Sequence, residues 1–271
     1  MKITIMGCGW LGLPVAKHLQ EGGHQVVATR RSKLGVDDLK THKITAIEFE
    51  LGEALNQTKL EPIFACDLLF LNIPVGRKSA ASADFTSNIE SVVKHAKHSN
   101  IRHILFISTS SVYGDESRIV TAKSQPNPVT QSATINLQIE QLVNRYFDSN
   151  ATVLRLSGLV GNNRHPAKFL AGKKHLANAN QVVNLIHQDD VVLAIDKIVN
   201  NNIWGQSLVL SSAEHPTRKD YYTWAAKELG LSFPEFLEQD PDCSTGKRID
   251  ASGSLKRLGL ELKYPSPYDM L

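Results

Sequence analysis

The sequence is poor in cysteine, and that scarcity already excludes several kinds of protein. Cys8, Cys66 and Cys243 are the only three in 271 residues, they lie far apart, and no C-x-x-C spacing occurs. Neither a disulfide framework nor a zinc site is expected from them. No apolar stretch is long enough to span a bilayer. The apolar start is short, broken by glycines and followed by an amphipathic pattern, so it does not read as a secretory leader. Runs of Lys and Arg are missing too, because a net charge of +3 is spread through the chain and leaves no basic footprint for nucleic acid. Repeats and low-complexity segments are absent. A hydrophobic fraction of 42% with 21% charged residues is ordinary for a globular chain and implies no disorder. The expectation is a cytoplasmic protein without metal, nucleic-acid or membrane partners, made of one large domain or of one domain with a smaller appendage.

What the chain does have stands at its start. The segment MKITIMGCGWLG (1–12) runs an alternating apolar strand into a G-x-G-x-x-G turn formed by Gly7, Gly9 and Gly12. Gly7 suits a tight turn, Gly9 removes a side chain where a pyrophosphate approaches the backbone, and Gly12 lets the next helix sit close to the strand. A helix opening at Trp10 or Leu11 would aim its free N–H groups and positive dipole end at the phosphates. The surroundings make the triplet more than a glycine-rich turn. Leu11, Val15 and Leu19 recur on one helix face, Gly22-Gly23 stops that helix, and His24 to Thr29 reads as a second strand.

That second strand ends on Arg30-Arg31-Ser32. An NAD site usually carries a carboxylate about twenty residues beyond the glycines, where it holds the ribose hydroxyls. Two guanidinium groups there instead offer a fork for the additional 2′-phosphate of NADP. The expected cofactor is therefore NADP(H), with NAD(H) the less favoured choice.

The alternation continues. Thr45 to Phe49, Leu68 to Ile73, His103 to Ser108 and Thr152 to Leu156 read as further strands, apolar on both faces as a covered parallel sheet requires. Phe85, Ile89, Val92, Val93 and Ala96 mark a helix with a Ser/Asp cluster upstream, and Ile135, Ile139, Leu142 and Val143 mark another. The pattern predicts an α/β fold, a Rossmann-type doubly wound parallel sheet, with a small C-terminal α+β substrate lobe. The expected division is a cofactor-binding domain over 1–158 and a mainly substrate-facing lobe over 159–271, with segments around 182–200 packing back on the first. In the lobe, Val182 to His187 and Ser207 to Leu210 read as strands and Asp190 to Val199 as a helix. Thr217 to Asp220 reads as the capping box of a helix through Leu229. Tyr221, Tyr222 and Trp224 are expected in that lobe's core, and Arg164 and His165 could hold an anionic group.

Five stretches resemble the extended short-chain dehydrogenase/reductase superfamily, the group of NAD(P)-dependent sugar-nucleotide epimerases and dehydratases. They are the glycine turn, HILFISTSSVYGD (103–115), LRLSGLVG (154–161), NLIHQDD (184–190) and EHPTRKDY (214–221). The glycine spacing, the arginine pair and the ending LGLELKYP (258–265) bring the chain towards the atypical, YeeZ-like branch. The resemblance implies that Glu50 and Leu51 meet the adenine, that Ile73 and Pro74 line the cofactor, and that Ser108 and Arg155 stand near the nicotinamide. It also implies a small-molecule substrate and allows a homodimer through the helices that follow the fourth and fifth strands.

The resemblance further implies a Ser or Thr after the fifth strand, a role Thr109 fits, and a Tyr-x-x-x-Lys pair on the next helix. That pair is not in the sequence. Its positions fall on Ser132 and Asn136, none of the six tyrosines is followed four residues later by lysine, and Ala122 stands near the place of the family's glutamate. Tyr113 is the best-placed substitute proton donor, with Lys123 and His187 further titratable groups in the region. Two functions follow as expectations. One is an NADP(H)-dependent oxidoreductase or epimerase-like enzyme acting on a small carbonyl, alcohol or sugar-type substrate, with Thr109 as orienting group and a proton donor that is either displaced, Tyr113 being the candidate by location, or supplied by the substrate. The other is a non-catalytic NADP(H)-binding redox sensor.

Overall fold

The computed structural model describes residues 1–75, 84–237 and 245–271. Strand and helix alternate through β1 (Lys2–Met6), α1 (Gly12–Glu21), β2 (Gln25–Arg30), α2 (Lys33–Thr41), β3 (Thr45–Glu48), α3 (Glu61–Phe64), β4 (Leu68–Leu71), α4 (Phe85–His98) and β5 (His103–Thr109). They continue through β6 (Ile119–Val120), α5 (Gln131–Phe147), β7 (Ala151–Leu156), β8 (Gly158–Val160), α6 (Ala167–Leu170), β9 (Leu185–His187) and α7 (Gln188–Asn200). The last elements are β10 (Ser207–Leu210), α8 (Arg218–Glu228), β11 (Arg248–Ile249) and α9 (Ser252–Leu258).

Seven strands form one sheet in the order β10-β7-β5-β4-β1-β2-β3. The pairs β1–β2, β1–β4, β2–β3 and β4–β5 are all parallel, and the doubly wound Rossmann-type sheet read from the sequence is present. Strand order reverses between β1 and β4, so the crevice for a ligand opens beyond the carboxyl ends of these two strands. The four residues of β4 are all buried, as expected between two covered neighbours. β3 departs from that expectation, with its end residues exposed and its middle half-buried, because it is the last strand of the sheet and has a partner on one side only.

Residue contacts divide the chain into two units, one of Met1–Val112, Pro128–Arg155 and Ile195–Leu208, the other of Tyr113–Asn127, Leu156–Ala194 and Val209–Leu271. Each has its own core. In the first, Leu69, Leu71, Ile104 and Phe106 of the sheet pack with Ile89, Val92 and Val93 of α4 and Ile139 and Val143 of α5. These helical residues recur every three or four positions, which places them on one face. In the second, Val160, Val183 and Leu185 pack with Tyr221, Tyr222 and Ala225 of α8, in line with the core role expected for those tyrosines. This unit holds two small two-stranded pairs, β6–β11 and β8–β9.

Local signals act mostly where the sequence puts them. Gly22 closes α1 and Gly23 follows at φ +83°. Thr217 caps α8 by accepting the Asp220 N–H, but its hydroxyl also donates to the Asp220 carboxylate at 2.7 Å. Asp220 thus bonds the cap side chain rather than the cap backbone, which gives half of a capping box. Of the cluster upstream of α4, residues 76–83 lie outside the described residues, and Asp84 makes no side-chain cap bond. The strand read over Val182 to His187 shrinks to Leu185–His187. Asn184 interrupts it by donating to the Lys247 carbonyl and accepting the Ile249 N–H, both at 2.9 Å.

One buried polar cluster joins three elements of the first unit. Glu140 of α5 receives the Ser108 hydroxyl of β5 at 2.5 Å and the Arg155 guanidinium of β7 at 2.6 Å and 3.1 Å. The side chains of Arg155 and Glu140 are 7% and 3% exposed. Removing one member of such a pair strands the other charge away from water, whereas replacing both by apolar groups does not. Glu140→Ala is therefore expected to lower the unfolding free energy by about 3–5 kcal/mol, with a Glu140→Leu/Arg155→Met double variant recovering most of the loss. Urea denaturation checks this, and a single-variant loss below about 1 kcal/mol, the range of an exposed pair, would contradict it.

Candidate functional site

The glycine turn is built by close backbone approaches. Gly7 has φ +84°, and a Cβ placed on it would lie 2.5 Å from the Asn72 carbonyl oxygen. Only glycine fits both the angle and the space. The turn is held from two sides. Thr29 of β2 accepts the Gly7 N–H through its hydroxyl and the Cys8 N–H through its carbonyl, at 3.1 Å and 3.0 Å. Asn72, just beyond β4, donates its side-chain amide to the Gly7 carbonyl at 2.9 Å. A Cβ on Gly12 would lie 3.0 Å from the Gly7 carbonyl oxygen and 3.4 Å from Ile5, so the third glycine sets how near α1 lies to β1. Sequence reasoning missed Thr29 and Asn72. The only available signal was a polar residue inside an apolar strand and another at a strand's end.

Gly9 is different. A Cβ there would meet no protein atom closer than 3.9 Å, that atom being a guanidinium nitrogen of Arg30. The fold itself therefore does not demand glycine at position 9, whereas a group lying against this backbone would. The helix begins slightly later than Trp10 or Leu11, with Leu11 as N-cap and Gly12 as first residue. Its intrahelical bonding starts when Leu13 N–H donates to the Gly9 carbonyl at 3.0 Å. The amides of Leu11 and Gly12 precede that first bond and belong to the donor end of the helix. Leu11 and Gly12 are buried, and Trp10 is half-buried.

Arg30 closes β2 and runs along α2, where a Cβ on Gly35 would be 3.1 Å from the Arg30 Cβ. Its Nη2 lies 3.6 Å from the Asp38 carboxylate, and its Nε is buried with no hydrogen-bond partner. The side chain as a whole is 30% exposed, so an arriving anion would meet the outer nitrogens of the guanidinium and not the Nε. Arg31 is exposed. Beneath them the Cys8 thiol is pushed up to about 12 by burial, against the lowering effect of Arg30. It stays protonated and is no nucleophile. The open face at Gly9, the donor end of α1 and the unsatisfied Arg30 together suit a diphosphate with one further anionic group.

The remaining expected residues sit as follows. Glu50 is exposed beyond β3, its N–H donating to Glu53 at 2.8 Å, and Leu51 packs half-buried on the first unit's core. Ile73 packs on the same core and Pro74 is exposed. Ser108 and Arg155 turn their polar groups to Glu140. The Thr109 hydroxyl bonds locally, to the Ser111 hydroxyl at 2.9 Å and the Ser111 N–H at 3.2 Å. Tyr113 ends the 3₁₀ turn Ser110–Tyr113 and is fully buried. On α5, Ser132 and Asn136 precede Glu140 by two turns and one turn, on the same helix face. Asn136 donates its amide back to the Ser132 carbonyl at 2.8 Å. Cys243 lies outside the described residues.

Two histidines of the second unit turn inward. His165 accepts the Ala167 N–H at Nδ1, so Nε2 carries the proton and faces the Tyr221 hydroxyl at 2.7 Å, which donates to the Pro267 carbonyl. Burial, with help from Lys168, lowers His165 to about 4, and a neutral, internally bonded ring does not hold an anion. His187 is also held below its usual value by burial, with its ring centroid 3.9 Å from that of Tyr264. Lys123 is exposed. Among the described residues no cluster of His, Cys, Asp and Glu could hold a metal ion, and no helix is long and apolar enough to cross a membrane.

The sequence profile of the NAD dependent epimerase/dehydratase family matches residues 3–208. Protein YeeZ of Escherichia coli strain K12 is 32% identical over 271 residues, spanning 99% of this chain and 98% of YeeZ. Among solved structures, UDP-glucuronic acid 4-epimerase from Bacillus cereus in complex with NAD superposes with a TM-score of 0.80 at 20% identity. It spans 100% of this chain and 96% of the epimerase. A functionally unknown conserved protein from Silicibacter pomeroyi gives 0.77 at 20% identity, over 99% and 96% of the two chains. With its doubly wound sheet and glycine turn inside a match that covers most of its length, the chain belongs to the NAD-dependent epimerase/dehydratase family.

Proposed function

We propose that the protein is an NADP(H)-dependent oxidoreductase or epimerase-like enzyme acting on a small carbonyl, alcohol or sugar-type substrate. The observation that carries this reading is Arg30, which ends β2 where an NAD site carries a carboxylate, keeps its Nε buried without a partner and brings its Nη1 to 3.9 Å from where a Cβ on Gly9 would stand. The Bacillus cereus epimerase has NAD bound in its structure, and family membership extends a dinucleotide to this chain. The amides of Leu11 and Gly12 hold the diphosphate. Arg30 and Arg31 hold the 2′-phosphate, with Arg30 leaving its 3.6 Å pairing to Asp38. Glu50 and Leu51 border the adenine side, Ile73 and Pro74 the crevice floor. Ser108 and Arg155 serve the nicotinamide end through Glu140, by fixing the strand ends beneath it.

A bound nicotinamide supplies hydride transfer; the chain must orient the substrate and provide for a proton. Thr109 is the orienting group, since its hydroxyl needs only to exchange Ser111 for a substrate oxygen. The usual tyrosine and lysine are replaced by Ser132 and Asn136, neither of which titrates near neutrality. The Tyr113 phenol lies nearest in sequence to Thr109, and its complete burial favours a packing role. Proton transfer then falls to the substrate or solvent, and the rate lacks the roughly hundred- to ten-thousand-fold help of a positioned acid–base group. The same gap supports a second reading, a non-catalytic NADP(H)-binding redox sensor.

Two measurements test these statements. Calorimetric titration is expected to show NADPH binding more tightly than NADH, and Arg30→Ala is expected to weaken NADPH by roughly ten- to a hundredfold, the range of a charge-assisted hydrogen bond, with little effect on NADH. Equal affinity for the two cofactors would refute the phosphate fork. Stereospecifically deuterated NADPH incubated with a panel of small carbonyl compounds is expected to pass label slowly to at least one of them, and more slowly in Thr109→Val. Tight binding with no transfer to any would leave only the sensor.

A further inference from the structure

On the edge of the sheet opposite the glycine turn lies a cavity of about 340 Å³. β1, β4 and β5 run parallel, so Gly7 stands at their carboxyl ends and the cavity at their amino ends, where β5 begins at His103. Its walls are Lys97, Asn100, Ile101, Arg102, His103 and Asn150, all of the first unit. Two of these are cations, and among the described residues no carboxylate lines the cavity. The backbone that carries them is fixed. α4 closes with the Ser99, Ile101 and Asn100 N–H groups donating to the carbonyls of His95, Ala96 and Lys97, at 2.9, 3.2 and 3.2 Å. These bonds occupy carbonyls that would otherwise repel an anion at this end of the helix. The Arg102 and His103 N–H groups both donate to the Asp67 carbonyl, at 3.1 and 3.0 Å. The side chains, by contrast, are uncommitted. Among the described residues Arg102 pairs with no carboxylate, and the Asn100 and Asn150 amides make no hydrogen bond within the chain. Lys97 makes no ion pair there either, and its ammonium rests 5.4 Å from the centroid of the Phe147 ring. The His103 Nδ1 is buried without a partner, and Trp204 covers the imidazole in a stack with centroids 4.2 Å apart. Burial, with Arg102 beside it, holds His103 below its usual range and keeps it neutral. Asp67, which acts on His103 in the opposite sense, is not in the wall, and its carboxylate accepts the Lys2 N–H at 2.9 Å.

We propose that this cavity binds a small phosphorylated polyol, its phosphate held between Lys97 and Arg102 and its hydroxyls met by Asn100 and Asn150. Two cations on one cavity suit a doubly charged group, and a guanidinium fork fits phosphate oxygens in pairs. A bare oxyanion would leave both amides unused. Each amide offers a donor and an acceptor, which is what a hydroxyl takes up. Ile101 is the one apolar side chain in the wall among the described residues, so a hydrocarbon body would gain little there. This assignment does not rest on the dinucleotide reading, because the cavity and the glycine turn stand at opposite ends of the same parallel strands.

The test uses the full-length chain without added nucleotide and four probes: glycerol 3-phosphate, glucose 6-phosphate, glucose and inorganic phosphate. Calorimetry should show saturable binding of at least one of the two phosphate esters. Glucose and inorganic phosphate should each bind at least about tenfold more weakly, each lacking one half of the recognition. Arg102→Met and Lys97→Met, both at exposed positions, should each weaken the preferred ester by roughly tenfold with an unchanged melting temperature. Arg30→Ala, at the other edge of the sheet, should bind the ester like the parent chain. Because Trp204 stacks on His103, binding should also change the tryptophan emission, and Trp204→Phe should lose that signal while calorimetry still detects the ester. The proposal is overturned if neither ester binds, or if glucose or inorganic phosphate binds as well as they do. It is equally overturned if folded Arg102→Met and Lys97→Met bind like the parent chain, if Arg30→Ala abolishes binding, or if the emission change survives in Trp204→Phe.

Discussion

The carboxyl edge of the sheet depends on how sharply the backbone turns after β1. Gly7 adopts a left-handed angle within 2.5 Å, Cβ to oxygen, of the Asn72 carbonyl. Thr29 and Asn72 then fasten the turn to the strands on either side. Because β1 lies between β2 and β4, this one turn fixes where α1 begins and where its unpaired amides stand. It also fixes what Arg30 overlooks. A bulkier residue at Gly7 would separate β1 from the segment after β4 before any ligand question arose, and the same holds, less severely, at Gly12.

The site thus divides its glycines by cause. Gly7 and Gly12 answer to the fold, whereas Gly9 has free space above it and Arg30 beside that space. The Arg30 Nε is buried without a partner, which is costly, and the Nη1 of the same group faces the open backbone of Gly9. A ligand carrying phosphates accounts for the open backbone and the guanidinium beside it at once. Deeper in the same unit, Glu140 gathers Ser108 and Arg155, which makes the ends of β5 and β7 rigid. Rigid strand ends are what the orienting role proposed for Thr109 requires.

Much of this was legible in the amino-acid order because the physical signals are local. A strand, a glycine turn and an amphipathic helix announce themselves within thirty residues, and the apolar repeat through Ile89, Val92 and Val93 needs no knowledge of the rest. What depends on distant partners was hidden. β3 reads as a fully covered strand, yet only the strand order reveals it as the edge. Ser108 and Arg155 read as cofactor neighbours, and their shared commitment to Glu140 is a matter of packing across three elements. His165 reads as a candidate holder of an anion, but burial keeps it neutral and its Nε2 bonds inward to Tyr221, 56 positions away.

The account turns on Gly9 being a ligand's glycine and not the fold's. Gly9→Val places a branched side chain where, its chain neighbours aside, no protein atom lies closer than 3.9 Å to the first carbon. Measured side by side, its melting temperature should match that of the parent chain within about 2 °C, a shift equivalent to less than about 1 kcal/mol for a chain of this size, while NADPH binding falls below detection. A Gly9→Val chain that is equally stable and binds NADPH with undiminished affinity would contradict the account.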